Sequence, residues 1–81
     1  MVDFLQVIEL YFRRLADLRS DHDLKQKEIA AVLNMSPNVY SRYERGDREI
    51  PVWAVIKLAD FYQTSTDYIL GRTDNPSLPR A

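Results

Sequence analysis

The sequence has no cysteine and few of the other residues on which enzymatic and metal sites most often depend. Of its 81 residues, one is histidine (His22) and two are glycine (Gly46 and Gly71). The lack of cysteine excludes a disulfide framework, a thiolate nucleophile and a cysteine metal site. Two isolated glycines do not make a phosphate-binding loop. An enzyme is therefore the weakest interpretation of this chain, and we expect neither a metal nor a cofactor.

Long apolar runs are also lacking. The N-terminal stretch MVDFLQVIELYFRR is apolar, but it contains Asp3 and Glu9 and has neither the basic start nor the cleavage site of a signal peptide. No apolar run approaches the ~20 residues that a membrane-spanning helix needs. The content of 46% hydrophobic and 28% charged residues is typical of a globular domain. We expect one soluble, cytoplasmic domain that does not bind membranes.

Apolar residues recur at helical spacing along the chain, and no strand-like alternation interrupts them. The first predicted helix is long and covers residues 3–21, and four shorter helices follow. The sequence thus predicts an all-α fold of five helices around one core. The apolar face of the first helix is assigned to Leu5, Ile8, Phe12, Leu15 and Leu18, and that of the fourth to Val52, Val55, Ile56, Ala59 and Tyr62.

The second and third helices are joined by a very short connection. The second ends near Asn34, a residue that tolerates the left-handed conformation, and Ser36 with Pro37 is suited to start the third. A joint of four residues sets the two helices at a steep angle, and the small Ala30 suits their closest approach. The pattern predicts a helix-turn-helix unit over about residues 25–45, whose second helix can enter a DNA major groove.

Positive charge is concentrated in this unit, although the net charge of the chain is −1. Residues 25–48 contain five basic and three acidic side chains, a local net charge of +2. On the third helix, Asn38 and Arg42 lie one turn apart. Arginine can donate two hydrogen bonds to guanine, and asparagine can pair with adenine in the same way. We therefore predict contacts with DNA bases from Pro37, Asn38, Ser41 and Arg42, with Pro37 limited to apolar contact.

The stretch LKQKEIAAVLNMSPNVYSRYERGDREIP, followed by VIKLADFYQTSTDYILG, resembles the phage-repressor-like (Cro/XRE-type) helix-turn-helix DNA-binding family. The resemblance covers about residues 15–71 and rests on several motifs in register, including YERG, IKLAD and DYILG. It implies a five-helix, lambda-repressor-like domain over residues 1–71, in which the extended first helix is longer than the family minimum. The tail over 72–81 has two prolines and little apolar content, so we expect it to be loosely ordered. The sequence departs from the usual family pattern at Lys25, Asn34, Pro37 and Tyr40.

The resemblance also implies roles for residues outside the third helix. In the family, the start of the second helix and the loop after the third bind the phosphate backbone. Residues matching these positions, or suited by their chemistry to the same role, are Gln26, Lys27, Ser36, Arg45 and Arg48. Arg19 and Glu44 match a structural ion pair of the family. Relatives often pair through the fourth and fifth helices, which here carry Trp53, Phe61, Ile69 and Leu70, the expected dimer interface.

These features together favour a sequence-specific DNA-binding transcriptional regulator, most readily a repressor, that binds a roughly palindromic operator as a homodimer. Double-stranded DNA is the expected partner. Two other interpretations stay open: an antitoxin, which would also bind a protein partner, and a protein-interaction module that kept the fold without DNA binding. The acidic isoelectric point of about 5.7 favours the module, whereas Asn38 and Arg42 argue against it.

Overall fold

The structure, a computed structural model, describes residues 11–78, and these form five α-helices and no strand. The all-α fold predicted from the sequence is confirmed. No helix in this part of the chain has the length and apolar character needed to cross a bilayer. The helices are α1 (Arg14–Asp21), α2 (Gln26–Val32), α3 (Pro37–Arg45), α4 (Val52–Tyr62) and α5 (Thr66–Ile69).

The first helix starts later than its apolar pattern predicts. Residues 11 and 12 are not helical, and α1 begins only at Arg14. A single extended helix over residues 3–21 is therefore wrong at 11–13, while the part predicted over 3–10 lies outside the described residues. The cause is tertiary packing. A Cβ atom built on Gly46 would lie only 3.0 Å from Tyr11 Cβ and 3.3 Å from Tyr11 Cα.

Gly46 is therefore constrained both by its backbone conformation and by its contact with Tyr11, and a substitution of Gly46 tests that contact. It ends α3 in the left-handed conformation, with φ of 79°, and the Tyr11 backbone packs against it. Gly71 has a similar φ of 80° but open space around it, so it is a matched control. We expect Gly46→Ala to lower the free energy of unfolding by about 1 kcal/mol or more beyond the loss in Gly71→Ala, because only the former adds crowding to backbone strain. Equal losses in denaturant titrations would contradict this packing.

The turn between α2 and α3 follows its local sequence closely. Asn34 adopts a left-handed conformation with φ of 56°, and Ser36 Oγ accepts a hydrogen bond from the Val39 backbone N–H at 3.3 Å. Ala30 is fully buried, and its carbonyl accepts from the Met35 backbone N–H at 2.9 Å. These contacts close the turn tightly, so they fix the position of α3 relative to α2.

The buried face of α4 differs from the predicted one. Val52 and Ile56, expected in the core, are 75% and 50% exposed. Because 100° separates successive residues of a helix, the observed core face runs over about 140° from Ala54 to Ala59, and Val52 and Ile56 lie about 20° and 60° beyond its edge at Ala59. The pattern was ambiguous because apolar residues occur on nearly every side of α4. Its buried residues are Ala54, Val55, Leu58, Ala59 and Tyr62.

The segment after α5 is tied to the body of the domain. Arg14 donates hydrogen bonds to the carbonyl oxygens of Tyr68 (2.8 Å) and Thr73 (2.6 Å), and to the Asp74 carboxylate (2.7 Å). The Thr64 hydroxyl donates to the Pro76 carbonyl at 2.6 Å. Thr73, Asp74 and Pro76 thus make specific contacts within the segment expected to form a loose tail over 72–81, and the last three residues of that segment lie outside the described part.

Candidate nucleic-acid interface

Helix α3 presents one polar face to solvent. At 100° per residue, Pro37, Ser41, Arg45, Asn38 and Arg42 fall within one continuous sector of about 140°. Four of the five are exposed, and Ser41 is half-buried. The structure thus brings together the four predicted base-contacting residues, and the exposed first turn of α3 carries two of them. No ion pair within residues 11–78 includes Arg42, so its guanidinium is available to a ligand.

The opposite face of α3 is buried in the core. Tyr40 is fully buried, and Tyr43 and Glu44 are almost so. Ile29, Ala30 and Leu33 of α2 belong to the same hydrophobic core. Because aromatic side chains bury a large area, this packing fixes the orientation of α3 about its axis. The exposed sector is therefore set by the core.

Glu44 accepts three hydrogen bonds that join α1, α2 and α3. Arg19 binds its carboxylate with two nitrogens, Nε at 2.7 Å and Nη2 at 3.0 Å, and the Gln26 amide donates at 3.0 Å. Burial alone would raise the pKa of Glu44, but these hydrogen bonds outweigh it and lower that pKa. The same pairing raises the pKa of Arg19. The carboxylate is thus ionised, neutralised internally and withdrawn from the exposed face of α3.

Two buried tyrosines lie close to this network. Burial first, and the neighbouring Glu44 carboxylate second, raise the pKa of the Tyr40 hydroxyl far above its usual range. The same two causes, in the same order, raise the pKa of Tyr62. Neither hydroxyl has a hydrogen-bond partner among residues 11–78. Both phenols therefore remain neutral, and they leave the negative charge of Glu44 to be balanced by Arg19.

The residues expected to bind phosphate differ in their exposure and in the hydrogen bonds that they already make. Lys27, Ser36 and Arg48 are exposed. Gln26 is half-buried at the start of α2, where one amide hydrogen is already donated to Glu44. Arg45 is exposed, but its guanidinium donates to Asp47 at 2.9 Å and to Ser41 Oγ at 3.0 Å. Such an exposed pair contributes only about 0.2–1 kcal/mol, so a phosphate can replace Asp47 at little cost.

The expected dimer residues do not form one surface. Ile69 is fully buried in the core of the single chain, so its assignment to a subunit interface is wrong. The Ile69 side chain packs in the hydrophobic core between the helices, and the sequence alone did not show how those helices are arranged. Leu70 is half-buried and lies beside Val52 and Ile56. Only Trp53 and Phe61, 53% and 44% exposed, remain as large exposed side chains from the predicted set.

Helices α2 and α3 are short, are joined by a tight turn, and α3 has one polar face. This is the geometry of a helix-turn-helix unit, and the sequence matches a family of that name. Residues 15–69, more than half of the chain, match the family described as "Helix-turn-helix". The chain belongs to the phage-repressor-like helix-turn-helix family. The exposed sector described above thus lies on α3, which is the second helix of the helix-turn-helix unit.

Several curated proteins are similar to this helix-turn-helix domain. The "Uncharacterized HTH-type transcriptional regulator YobD" of Bacillus subtilis (strain 168) is 36% identical over 67 residues, 83% of this chain and 60% of that protein. The "HTH-type transcriptional regulator ImmR" of the same organism is 39% identical over 62 residues, 76% of this chain and 49% of that protein. The "Cryptic phage CTXphi transcriptional repressor RstR" of Vibrio cholerae is 36% identical over 53 residues, 65% of this chain and 48% of that protein.

A solved structure agrees with the fold. A transcriptional regulator from Listeria innocua superposes with a TM-score of 0.69 at 28% identity, covering 75% of this chain and 57% of that one. The chain therefore spans about half to three-fifths of the length of the relatives it matches.

Sequence reasoning missed the structural roles of three side chains that shape the site. The Gln26 amide donates a hydrogen bond to Glu44, and Asp47 accepts one from Arg45. Arg14 of α1 donates to the Thr73 carbonyl in the C-terminal segment. The contact of Asp47 could have been predicted from the sequence. Asp47 follows Arg45 by two positions, with the helix-ending Gly46 between them, so its carboxylate is close enough to accept a hydrogen bond from Arg45. The Arg14 contacts join residues 54–60 positions apart, and no local pattern indicates them.

Proposed function

We propose that this chain is a sequence-specific DNA-binding transcriptional regulator that represses by occupying its operator. The observation that carries the proposal is the exposed sector of α3, where Asn38 and Arg42 lie one turn apart on a helix fixed by its buried face. An amide and a guanidinium at this spacing can read two neighbouring base pairs in a major groove. Repression is supported by the name of the Vibrio cholerae relative, a phage transcriptional repressor.

Phosphate contacts would orient the domain on the duplex. Lys27 lies at the start of α2, Arg45 at the C-terminal end of α3 within the exposed sector, and Arg48 in the loop that follows. The internal pairing of Glu44 with Arg19 removes one acid from the side that would approach the phosphates. A chain with net charge of −1 can therefore present a locally basic surface, so its acidic isoelectric point does not argue strongly for a pure protein-interaction module.

Replacing Arg45 tests the proposed binding of phosphate. We expect Arg45→Ala to weaken binding to every duplex sequence alike. It should also reduce the slope of log affinity against log salt by about one for each phosphate that is no longer neutralised, so about two for a dimer. Fluorescence anisotropy over a range of salt concentrations measures both effects.

Arg72 is a matched control for Arg45, because it too is an exposed arginine near a carboxylate, Asp67, at 3.8 Å. Arg72→Ala should leave the salt slope unchanged. A changed base preference in Arg45→Ala with an unaltered slope would assign Arg45 to base contact instead. Binding by the wild type that does not depend on salt would argue against a DNA-binding surface here.

The proposed regulator acts as a homodimer through the side of α4 that carries Trp53 and Phe61. These two residues lie eight positions apart, with Lys57 between them, on one exposed stripe of the helix. Burial of apolar area gives about 25 cal/mol per Å², which must exceed an association cost of about 4–15 kcal/mol, so the dimer should be of modest affinity and tightened by DNA.

Trp53→Glu should keep the fold, abolish the dimer and weaken binding to a full palindrome far more than to a half-site. The reason is that Trp53 is 53% exposed in the single chain, so a charge there disturbs a partner and not the core. Leu78→Glu is the control, since Leu78 is 47% exposed and lies far from α4 in the sequence. A wild type that sediments as a monomer at about 100 μM and binds half-sites as well as palindromes would exclude the dimer.

A further inference from the structure

The exposed side of α4 carries a concentration of large apolar side chains. Of the six such side chains that are exposed within residues 11–78, four lie on this helix. A groove of about 390 Å³ adjoins it at Val52 and Ile56, and Trp53 lies about 60° round α4 from Ile56, so groove and tryptophan form one continuous surface. Apolar area of this extent is poorly solvated, and covering it lowers the free energy. The four side chains are Val52, Trp53, Ile56 and Phe61.

Two opposite charges lie within this apolar side. Lys57 and Asp60 are the only charged residues of α4, and both are exposed. At 100° per residue they lie about 60° apart, and the direction of Trp53 falls between them. No ion pair within residues 11–78 includes either of them. Both charges are therefore available to a partner that covers this side of the helix.

A pair within α4 is the simplest alternative for two residues three positions apart. The structure does not form that pair, although four other ion pairs of the described residues join exposed side chains to nearby acids. The order of the two residues also disfavours it, because a base placed before an acid opposes the helix dipole. Lys57 and Asp60 are thus poorly explained as a pair that stabilises their own helix.

An identical copy is the partner whose charges fit this side best. In a dimer with a two-fold axis, a residue that contacts a second residue of the other copy is itself matched by the reciprocal contact. An axis that passes midway between Lys57 and Asp60 therefore sets each lysine opposite the aspartate of the other copy, twice in one interface. A partner with charges of a single sign would leave either Lys57 or Asp60 without a counter-charge.

The same axis places apolar side chains around both charge pairs. It crosses α4 at the level between Leu58 and Ala59. Trp53 and Phe61 lie about 8 Å and 4 Å from that level along the helix, in opposite directions. Large side chains on both sides of the pairs would exclude water from them, and a lower local dielectric strengthens the interaction between charges. The pairs would then decide which chains can associate.

We propose that the exposed side of α4 is a self-complementary surface, in which Lys57 of each copy pairs with Asp60 of the other and so selects an identical chain. The inference rests on the homodimer proposed above and adds the contact that gives it specificity. The apolar side chains supply the driving force for association. The two charges reject chains whose fourth helix has a different charge pattern, because like charges would then face each other.

Charge reversal tests this pairing. In a homodimer, Lys57→Asp sets acid against acid twice, and Asp60→Lys sets base against base twice. We expect each variant to raise the dimer Kd by at least about 100-fold, measured by analytical ultracentrifugation over a dilution series. Asp17→Lys is the control, because it makes the same change of charge at an exposed position of α1 and should leave the Kd unchanged.

Mixing the two variants separates a contact between copies from a contact within one helix. An equimolar mixture of Lys57→Asp and Asp60→Lys should form a heterodimer about as tight as the wild-type dimer, because both pairs of opposite charges are restored. Emission from Trp53, the only tryptophan of the chain, should shift to shorter wavelength as the heterodimer forms. A pair within α4 predicts no such rescue, and rescue also shows that both variants are folded.

Two results would overturn the inference, and they can be told apart. A wild-type dimer whose Kd is unchanged by either reversal, or variants that stay monomeric when mixed, would show that Lys57 and Asp60 do not pair although the homodimer exists. A wild type that sediments as a monomer at every concentration measured would overturn the pairing together with the proposed homodimer. Neither result bears on the recognition of bases by Arg42.

Discussion

Glu44→Ala is expected to lower the free energy of unfolding by about 3–5 kcal/mol, the largest loss of stability that we expect from a single substitution. The carboxylate accepts hydrogen bonds from Arg19 at 2.7 and 3.0 Å and from Gln26 at 3.0 Å. Its side chain is only 5% exposed and that of Arg19 only 22%, so its removal leaves a largely buried guanidinium without its counter-charge. Water can reach Arg19 in part, which places the loss toward the lower end of that range.

Denaturant titrations of Glu44→Ala, Arg19→Ala and the double variant measure the coupling between the two residues. We expect the double variant to lose clearly less than the sum of the single losses, because each single change already breaks the same pair. Asp17→Ala is the control: the Arg13–Asp17 pair is exposed, with its atoms 3.6 Å apart, and should contribute less than about 1 kcal/mol. Simple additivity at Arg19 and Glu44 would show that the pair does not stabilise the fold.

Arg42→Ala is expected to weaken specific DNA binding by about 1–3 kcal/mol for each half-site and to relax the preference at one base pair. Arg42 lies in the exposed sector of α3, and no ion pair of the described residues occupies it. Its guanidinium can therefore donate both hydrogen bonds to a guanine without first breaking an internal contact. Affinities for the operator and for its single-base variants measure the loss and its position.

Arg42→Lys separates base recognition from charge. Lysine keeps the positive charge but lacks the planar fork that makes two parallel hydrogen bonds, so non-specific binding should persist while the base preference weakens. Asn38→Ala should relax a neighbouring base pair, because Asn38 lies one turn earlier on the same face. A uniform loss of affinity across all sequences in Arg42→Ala would instead make Arg42 a phosphate contact.

The parts of the fold that depend on near neighbours in the sequence were predictable. Ser36, Pro37 and Gly46 mark both ends of α3 because caps are made within a few residues, and Asn34 ends α2 for the same reason. The exposed sector of α3 follows from helical spacing once those ends are known. The pairing of Arg19 with Glu44 was available only by family resemblance, since 25 positions separate the two residues.

The features that depend on distant contacts were not predictable from local patterns. Apolar residues occur on most sides of α4, so periodicity did not separate the core residue Leu58 from the exposed Val52. The burial of Ile69, the late start of α1 and the hold of Arg14 on residues 73 and 74 all arise from chain segments far apart in sequence. For each of these features the local sequence allows several arrangements, and the packing of distant segments determines which one forms.

Selection of bound duplexes from a random pool, at one stated salt concentration, tests the central proposal most directly. A sequence-specific homodimer predicts enrichment of an inverted repeat whose half-sites lie about one helical turn apart, and Arg42→Ala should lose the preference at one base pair in each half. A pool that stays random after repeated selection, with a folded protein, would contradict sequence-specific recognition by this chain.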